Sequence, residues 1–187
     1  PELLGEARGV YCKGDTSLVK TAIYVAPSGS DSASCGRTAA LPCASIQRGI
    51  DNCTQAGCGL LVRHGLYKTT ATISLKDGVS IFGSCSFNGV PDPNSAAARY
   101  RTVVEASPAP GSPALNGDGI DRPTVVSGLV IVGKDETATG VSGVASIVMV
   151  ASRSRGITLM NSALVAGKGG PGVVGRSFQA GPGGPGQ

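Results

Sequence analysis

Apolar residues along this chain fall in short runs cut by Gly, Pro, Asn, Asp and Ser, and only one stretch has helical spacing. Ala22-Ile23-Tyr24-Val25 reads as a strand, ended by the turn-rich Pro27-Ser28-Gly29-Ser30-Asp31-Ser32. The same pattern predicts strands over Gly59 to His64, Thr72 to Leu75, Val79 to Gly83, Thr102 to Ala106 and Thr124 to Val132. Ser146 to Ala151, Gly156 to Met160 and Ala163 to Ala166 complete the series, with turns at Gly65 and Lys76-Asp77-Gly78. Between the first two strands, Ile46, Ile50 and Cys53 stand at i, i+4 and i+7, which predicts a helix over Ser45 to Gln55. Ala44 or Ser45 takes the cap position, with Ser45 the better chemistry, and Gly57 is expected to close the helix.

No long helix is available to cross between strands as in an ordinary α/β sheet. Ile81, Val103, Val126 and Val148 are separated by 22, 23 and 22 residues, about the chain one coil of a parallel β-helix takes. Such coils bury their inward side chains only by stacking on one another. A β-sandwich is the alternative, but Asp77-Gly78, Asn88-Gly89 and Asn116-Gly117 are not framed by matched strands as hairpins would be. The expected organisation is an N-terminal arm over 1–20, a cysteine-rich cap with the helix over 21–58 and stacked coils over 59–166. A Gly/Pro-rich segment over 167–187 follows.

Composition supports this. Hydrophobic residues make up 41% but aromatics only 4%, so the core is built from small and β-branched side chains. The net charge of +4 is scattered, without the basic patch and stacking aromatics of a nucleic-acid binder. No apolar run is long enough for a transmembrane segment. Cys12, Cys35, Cys43, Cys53, Cys58 and Cys85 lack the paired spacing of a zinc site, and only one His is present. An even number of cysteines confined to one half of the chain predicts disulfides formed in an oxidising compartment. Short loops favour Cys35–Cys43 and Cys53–Cys58, which leaves Cys12–Cys85 to tie the arm to the body.

Two stretches carry a resemblance. Ile23-Tyr24-Val25-Ala26-Pro27-Ser28-Gly29-Ser30-Asp31 and Pro42-Cys43-Ala44-Ser45-Ile46-Gln47-Arg48-Gly49-Ile50-Asp51 resemble the opening strand and capping helix of the pectate-lyase-like right-handed parallel β-helix superfamily. Val62, Gly65, Tyr67, Asp77-Gly78-Val79, Phe82-Gly83 and Gly156-Ile157-Thr158-Leu159-Met160-Asn161-Ser162 are similar to its coils. The likeness covers about residues 22–170. It implies an all-β, right-handed solenoid with a short N-terminal capping helix. It also implies a secreted or cell-surface protein of the cysteine-containing type found in Gram-negative bacteria, whose Gly-rich inserts resemble Gly167 to Gln187. Members include lyases, hydrolases, adhesins and inert stalks, so fold alone does not assign activity.

Uronate lyases of this superfamily hold calcium with carboxylates from adjacent coils. The carboxylates available here are Asp77, Asp92, Glu105, Asp118, Asp121, Asp135 and Glu136. Asn116, Asp118 and Asp121 offer oxygens at nearly alternate positions, as a calcium loop does, but lack its bidentate Glu. Glu105 is expected to point outward, and Asp135-Glu136 to be solvated in a loop. His64 has no local orienting partner and reads as a polar corner residue. Gly167-Lys168-Gly169-Gly170 precedes no helix and so lacks a phosphate-binding N-terminus. Thr70, Thr72 and Ser74 alternate on one strand face, and Arg99, Arg101, Arg153 and Arg155 are the candidates for a polysaccharide-binding patch. No nucleophile, phosphate-loop or metalloprotease motif is present.

The expectation is therefore a chain without catalytic residues or cofactor: a structural or adhesive surface module that forms homo-oligomers or filaments through open β-helix ends. The alternatives are the N-terminal part of a polysaccharide lyase or hydrolase, and a glycan-binding module.

Overall fold

A computed structural model describes residues 12, 14–17, 19–55, 57–87, 101–137 and 143–172. Their elements are β1 (Thr21–Val25), α1 (Ile46–Asn52), β2 (Cys58–Arg63), β3 (Gly65–Thr69), β4 (Ile73–Ser74), β5 (Ser80–Cys85), β6 (Thr102–Ala106) and β7 (Leu115–Asp118). They continue with β8 (Thr124–Ser127), β9 (Leu129–Val132), β10 (Met149–Ser152), β11 (Ile157–Met160) and β12 (Ala163–Val165). Every strand pairing is parallel, and the described residues are mostly β with one short helix.

Three sheets hold these strands: a first of order β1-β2-β5-β8-β11, a second of order β3-β6-β9-β12 and a third of order β4-β7-β10. From β2 onward the chain visits first, second and third sheet in unbroken rotation, so each pass lays its strands beside those of the pass before. The registers align like with like. In the first sheet Ile23, Leu60, Ile81, Val126 and Leu159 form one ladder. Tyr67, Val104, Ile131 and Leu164 form another in the second sheet, and Ile73, Leu115 and Met149 a third. All of these residues except the ladder ends Leu159 and Leu164 belong to the main core or, in the case of Met149, pack against it. Tyr67 is the one polar member among them; its hydroxyl donates to Arg63 O at 2.9 Å and Val25 O at 3.3 Å, which satisfies it inside.

Helix α1 plugs the N-terminal end of the stack. Ser45 caps it by accepting from Arg48 N at 3.2 Å, and Ile46, Gly49 and Ile50 are buried. A Cβ on Gly49 would lie 2.8 Å from both Leu60 Cδ2 and Val25 Cγ2, so glycine is what lets the helix sit this close. Ser74 N donates to Gln47 Oε1 and Lys76 Nζ to Cys53 O, fixing the plug to the third sheet as well. The disulfides are Cys12–Cys85, Cys35–Cys43 and Cys53–Cys58, the pairing that the short loops favoured. A second core lies on the outer face of the first sheet, where Val19, Phe87 and Cys85 cover Ala22, Tyr24, Leu61, Phe82 and Val125.

Several expectations are corrected. The 22-residue spacing is not the length of a pass: Gly59 lies opposite Ser80, but Ile81 lies opposite Val126 and Thr124 opposite Ile157, giving passes of 21, 45 and 33 residues. Val103 belongs to the second sheet, beside Leu66 and Val130, and Val148 precedes β10. Corner connections of unequal length lengthen a pass without disturbing the stack. Thr124 to Val132 is two strands in different sheets, divided at Gly128, whose φ of 72° is open to glycine at little cost. Strand β3 begins where a turn was expected, at Gly65, and β7 takes in Asn116 and Asp118 of the calcium-type loop. Helix α1 ends at Asn52 with Cys53 extended, because Cys53–Cys58 draws the chain into β2; Gly57, at φ 75°, belongs to the turn that follows. Thr70 and Thr72 lie between β3 and β4, not on one strand with Ser74. Asp92, Arg99, Asn88-Gly89, the arm before Cys12 and residues 173–187 lie outside the described residues.

Candidate functional site

The charged groups of the stack collect at corners, and most of them stitch one pass to the next. At the turn between the third and first sheets Asp77 Oδ1 accepts from Asp121 N at 2.9 Å and Arg122 N at 2.7 Å, while Arg122 Nε lies 3.0 Å from its other oxygen. The Arg122 backbone N–H is the main reason the Asp77 carboxyl is held below its ordinary pKa of 3.8. One pass on, Asp118 accepts from Ser152 Oγ at 2.6 Å and takes a two-pronged contact from Arg153, which lowers its pKa and raises that of the arginine. Asp121 faces Arg155 Nε at 3.0 Å. Asp135 Oδ1 repeats the device at another corner by accepting from Lys168 N at 2.7 Å. Near the cap, Asp31 Oδ1 accepts from Ala44 N and Ser45 N.

The calcium candidates are therefore placed on a strand and its corner. Asn116 and Asp118 lie on β7 and Asp121 just beyond it, and both carboxylates face arginines of the following pass. Of the four arginines named for a polysaccharide patch, Arg99 lies outside the described residues, and Arg153 and Arg155 are each paired with a carboxylate. Asp31, Cys35 and Cys43 do bring three ligand-type atoms close, yet both sulfurs are bonded to each other. His64 sits at the β2–β3 corner, with its backbone N–H donating to Cys85 O at 3.1 Å and its Nδ1 at 3.3 Å from the same oxygen.

A polar groove of about 680 Å³ runs across the second sheet, lined by Lys68, Thr69, Glu105, Ser107, Lys134 and Asp135 among others. Lys68, Glu105 and Val132 are register partners on successive strands, and Lys68 Nζ lies 3.7 Å from Glu105 Oε2, both side chains exposed. Next in sequence to the groove residue Asp135, Glu136 departs from its expected solvated position. It is only 2% exposed; Gly111 N donates to its Oε1 at 3.4 Å, Lys134 Nζ lies 3.7 Å from Oε2, and Oε2 has no hydrogen bond.

The far end of the stack contrasts with the plugged one. In the first-sheet ladder Val126 is fully buried and its successor Leu159 is 41% exposed; in the second-sheet ladder Ile131 is 1% exposed and Leu164 39%. Val150, Met160 and Val165 are exposed there too. The chain matches no family model, no curated protein and no solved structure.

Chemically, Asp77, Asp118, Asp121 and Asp135 hold backbone N–H groups and cations of neighbouring passes, while Glu105 and Asp135 both line the groove on the second sheet. Among the described residues, the groove on the second sheet and the terminal pass are surfaces open to a partner. Sequence reasoning found the arginines of the terminal pass but not its exposed apolar ladder ends, because the strands that expose them read like every other strand. One signal was available: no Asp or Glu follows Glu136.

Proposed function

We propose that this chain is a right-handed parallel β-helix of the pectate-lyase-like kind, working outside the cytoplasm as a structural or adhesive module. The observation that carries the reading is the unbroken rotation of the chain through three parallel sheets with like residues in register. Stacked passes make a rigid rod whose stability comes from neighbouring passes. Three disulfides support an oxidising compartment, and the surface of a Gram-negative bacterium is the setting the sequence resemblance favours. Among the described residues no helix is long and apolar enough to cross a membrane.

The stitching role of Asp77, Asp118, Asp121 and Asp135 favours a scaffold over a lyase or hydrolase. The polar groove favours a second reading, glycan binding without turnover, since it offers hydroxyls and charges of both signs along successive passes. Incubation with uronate polymers, followed by assays for new reducing ends and unsaturated products and by affinity electrophoresis, tests both. No products are expected; retention without products would select the glycan-binding module, and turnover would overturn the scaffold. Mass photometry of the purified protein tests assembly. Simple head-to-tail stacking is opposed by α1, which occupies one end.

A further inference from the structure

We propose that the terminal pass is a docking surface for an extended, acidic polypeptide segment, added as a further layer of strands; this rests on the stacked-pass reading above. Three observations converge on it. Among the described residues, strands β10, β11 and β12 each pair with another strand on one side only, so their outer edges offer backbone N–H and C=O groups to an incoming strand. Leu159 and Leu164 end their ladders about 40% exposed, where every earlier member is buried, so an added layer continues an existing core.

The third observation is charge. Residues 137–187 carry Arg153, Arg155, Lys168 and Arg176 and no Asp or Glu. Arg153 gives Asp118 its Nε and one Nη, and Arg155 meets Asp121 through Nε. Each guanidinium has five N–H donors, so donors remain at a rim where both side chains are at least 80% exposed. A second copy meeting this face with its own would set cations against cations, and its opposite end is closed by α1. The partner that fits is a strand-forming segment with apolar residues at alternate positions and carboxylates at the corner, as Asp118 and Asp121 already present from the other side.

The test uses the whole chain and a labelled peptide copying residues 115–132, the sequence on which the terminal strands already stack. Fluorescence anisotropy is expected to show saturable binding. The peptide carrying D118N and D121N should bind roughly fivefold more weakly at low salt, the size expected of two exposed ion pairs. Leu159→Glu in the chain should abolish binding while the disulfide map and far-UV circular dichroism stay unchanged. Absence of binding, equal affinity of both peptides or insensitivity to Leu159→Glu would overturn the proposal. So would self-association that competes with the peptide, which assigns the face to a second copy, or binding that appears only after residues 1–11 are removed. A chain that lacks the mapped disulfides or a β spectrum fails the stacked-pass reading instead, so the two failures are distinguishable.

Discussion

Single residues stitch this molecule together, and the best example is the carboxylate that reaches over to the next pass. Asp77 and Asp118 both have their pKa depressed, by the Arg122 backbone N–H and by the Arg153 side chain respectively. A carboxyl whose folded pKa lies below its unfolded value binds protons more readily when unfolded. Its contribution is thus complete above the ordinary 3.8 and is lost as pH falls through the lower folded value. Urea midpoints are expected to hold between pH 5 and pH 7 and to fall below about pH 4, where unfolded carboxyls take up protons. Asp77→Asn should flatten part of that fall; an unchanged acid limb in this variant would remove Asp77 from the account. Glu136 poses the opposite case, a buried carboxylate with one weak donor and one cation at 3.7 Å. Lys134→Ala strips that cation and is expected to cost about 1–3 kcal/mol, because a buried charge loses its partner. Adding Glu136→Leu should recover most of the loss, which a double-mutant cycle in urea measures directly.

Elements obey the same neighbour rule, with burial graded by position in the stack. Leu60 is the fully buried second rung of the ladder that ends at Leu159. Leu60→Ala is expected to cost about 2–5 kcal/mol and Leu159→Ala under about 1 kcal/mol, since the latter leaves little new cavity. Equal costs in denaturant titrations would mean that the terminal pass is covered. Much of this architecture was legible in the sequence. The β1 run, the Ser45 cap and the two short-loop disulfides are local signals, and local chemistry decides them; Cys12–Cys85 followed by elimination. Strand β3 was hidden because Gly65 looked like a turn, and β7 because Asn116-Gly117-Asp118 has turn residues; only pairing with neighbouring passes makes them strands. The regular 22-residue spacing misled for the same reason, since stacking is decided by register and not by chain distance. The buried position of Glu136 depends on loops from the preceding pass, and no local pattern encodes that.

At the scale of the whole molecule, the two ends are built differently and their stability should differ in kind. The plugged end carries a helix and two short-range disulfides that close loops of 8 and 5 residues. Cys12–Cys85 spans 73 residues and clamps the arm over the outer face of the first sheet. If cross-links act by restricting the unfolded chain, the long loop contributes about 4 kcal/mol and the 5-residue loop about 2 kcal/mol. The arm adds a second effect. Val19 and Cys85 belong to the cluster that buries Tyr24, Leu61 and Phe82, and a Cβ on Gly59 would meet Val19 Cγ2 at 2.7 Å. Opening this one disulfide therefore frees the strap that covers the outer core as well as relaxing the unfolded state. The paired variant Cys12→Ala/Cys85→Ala is expected to lower the urea midpoint more than Cys53→Ala/Cys58→Ala and to raise binding of a hydrophobic dye before global unfolding. A larger loss from the Cys53–Cys58 pair would instead place the weak point at the helix, and make α1 rather than the arm the element that guards the fold.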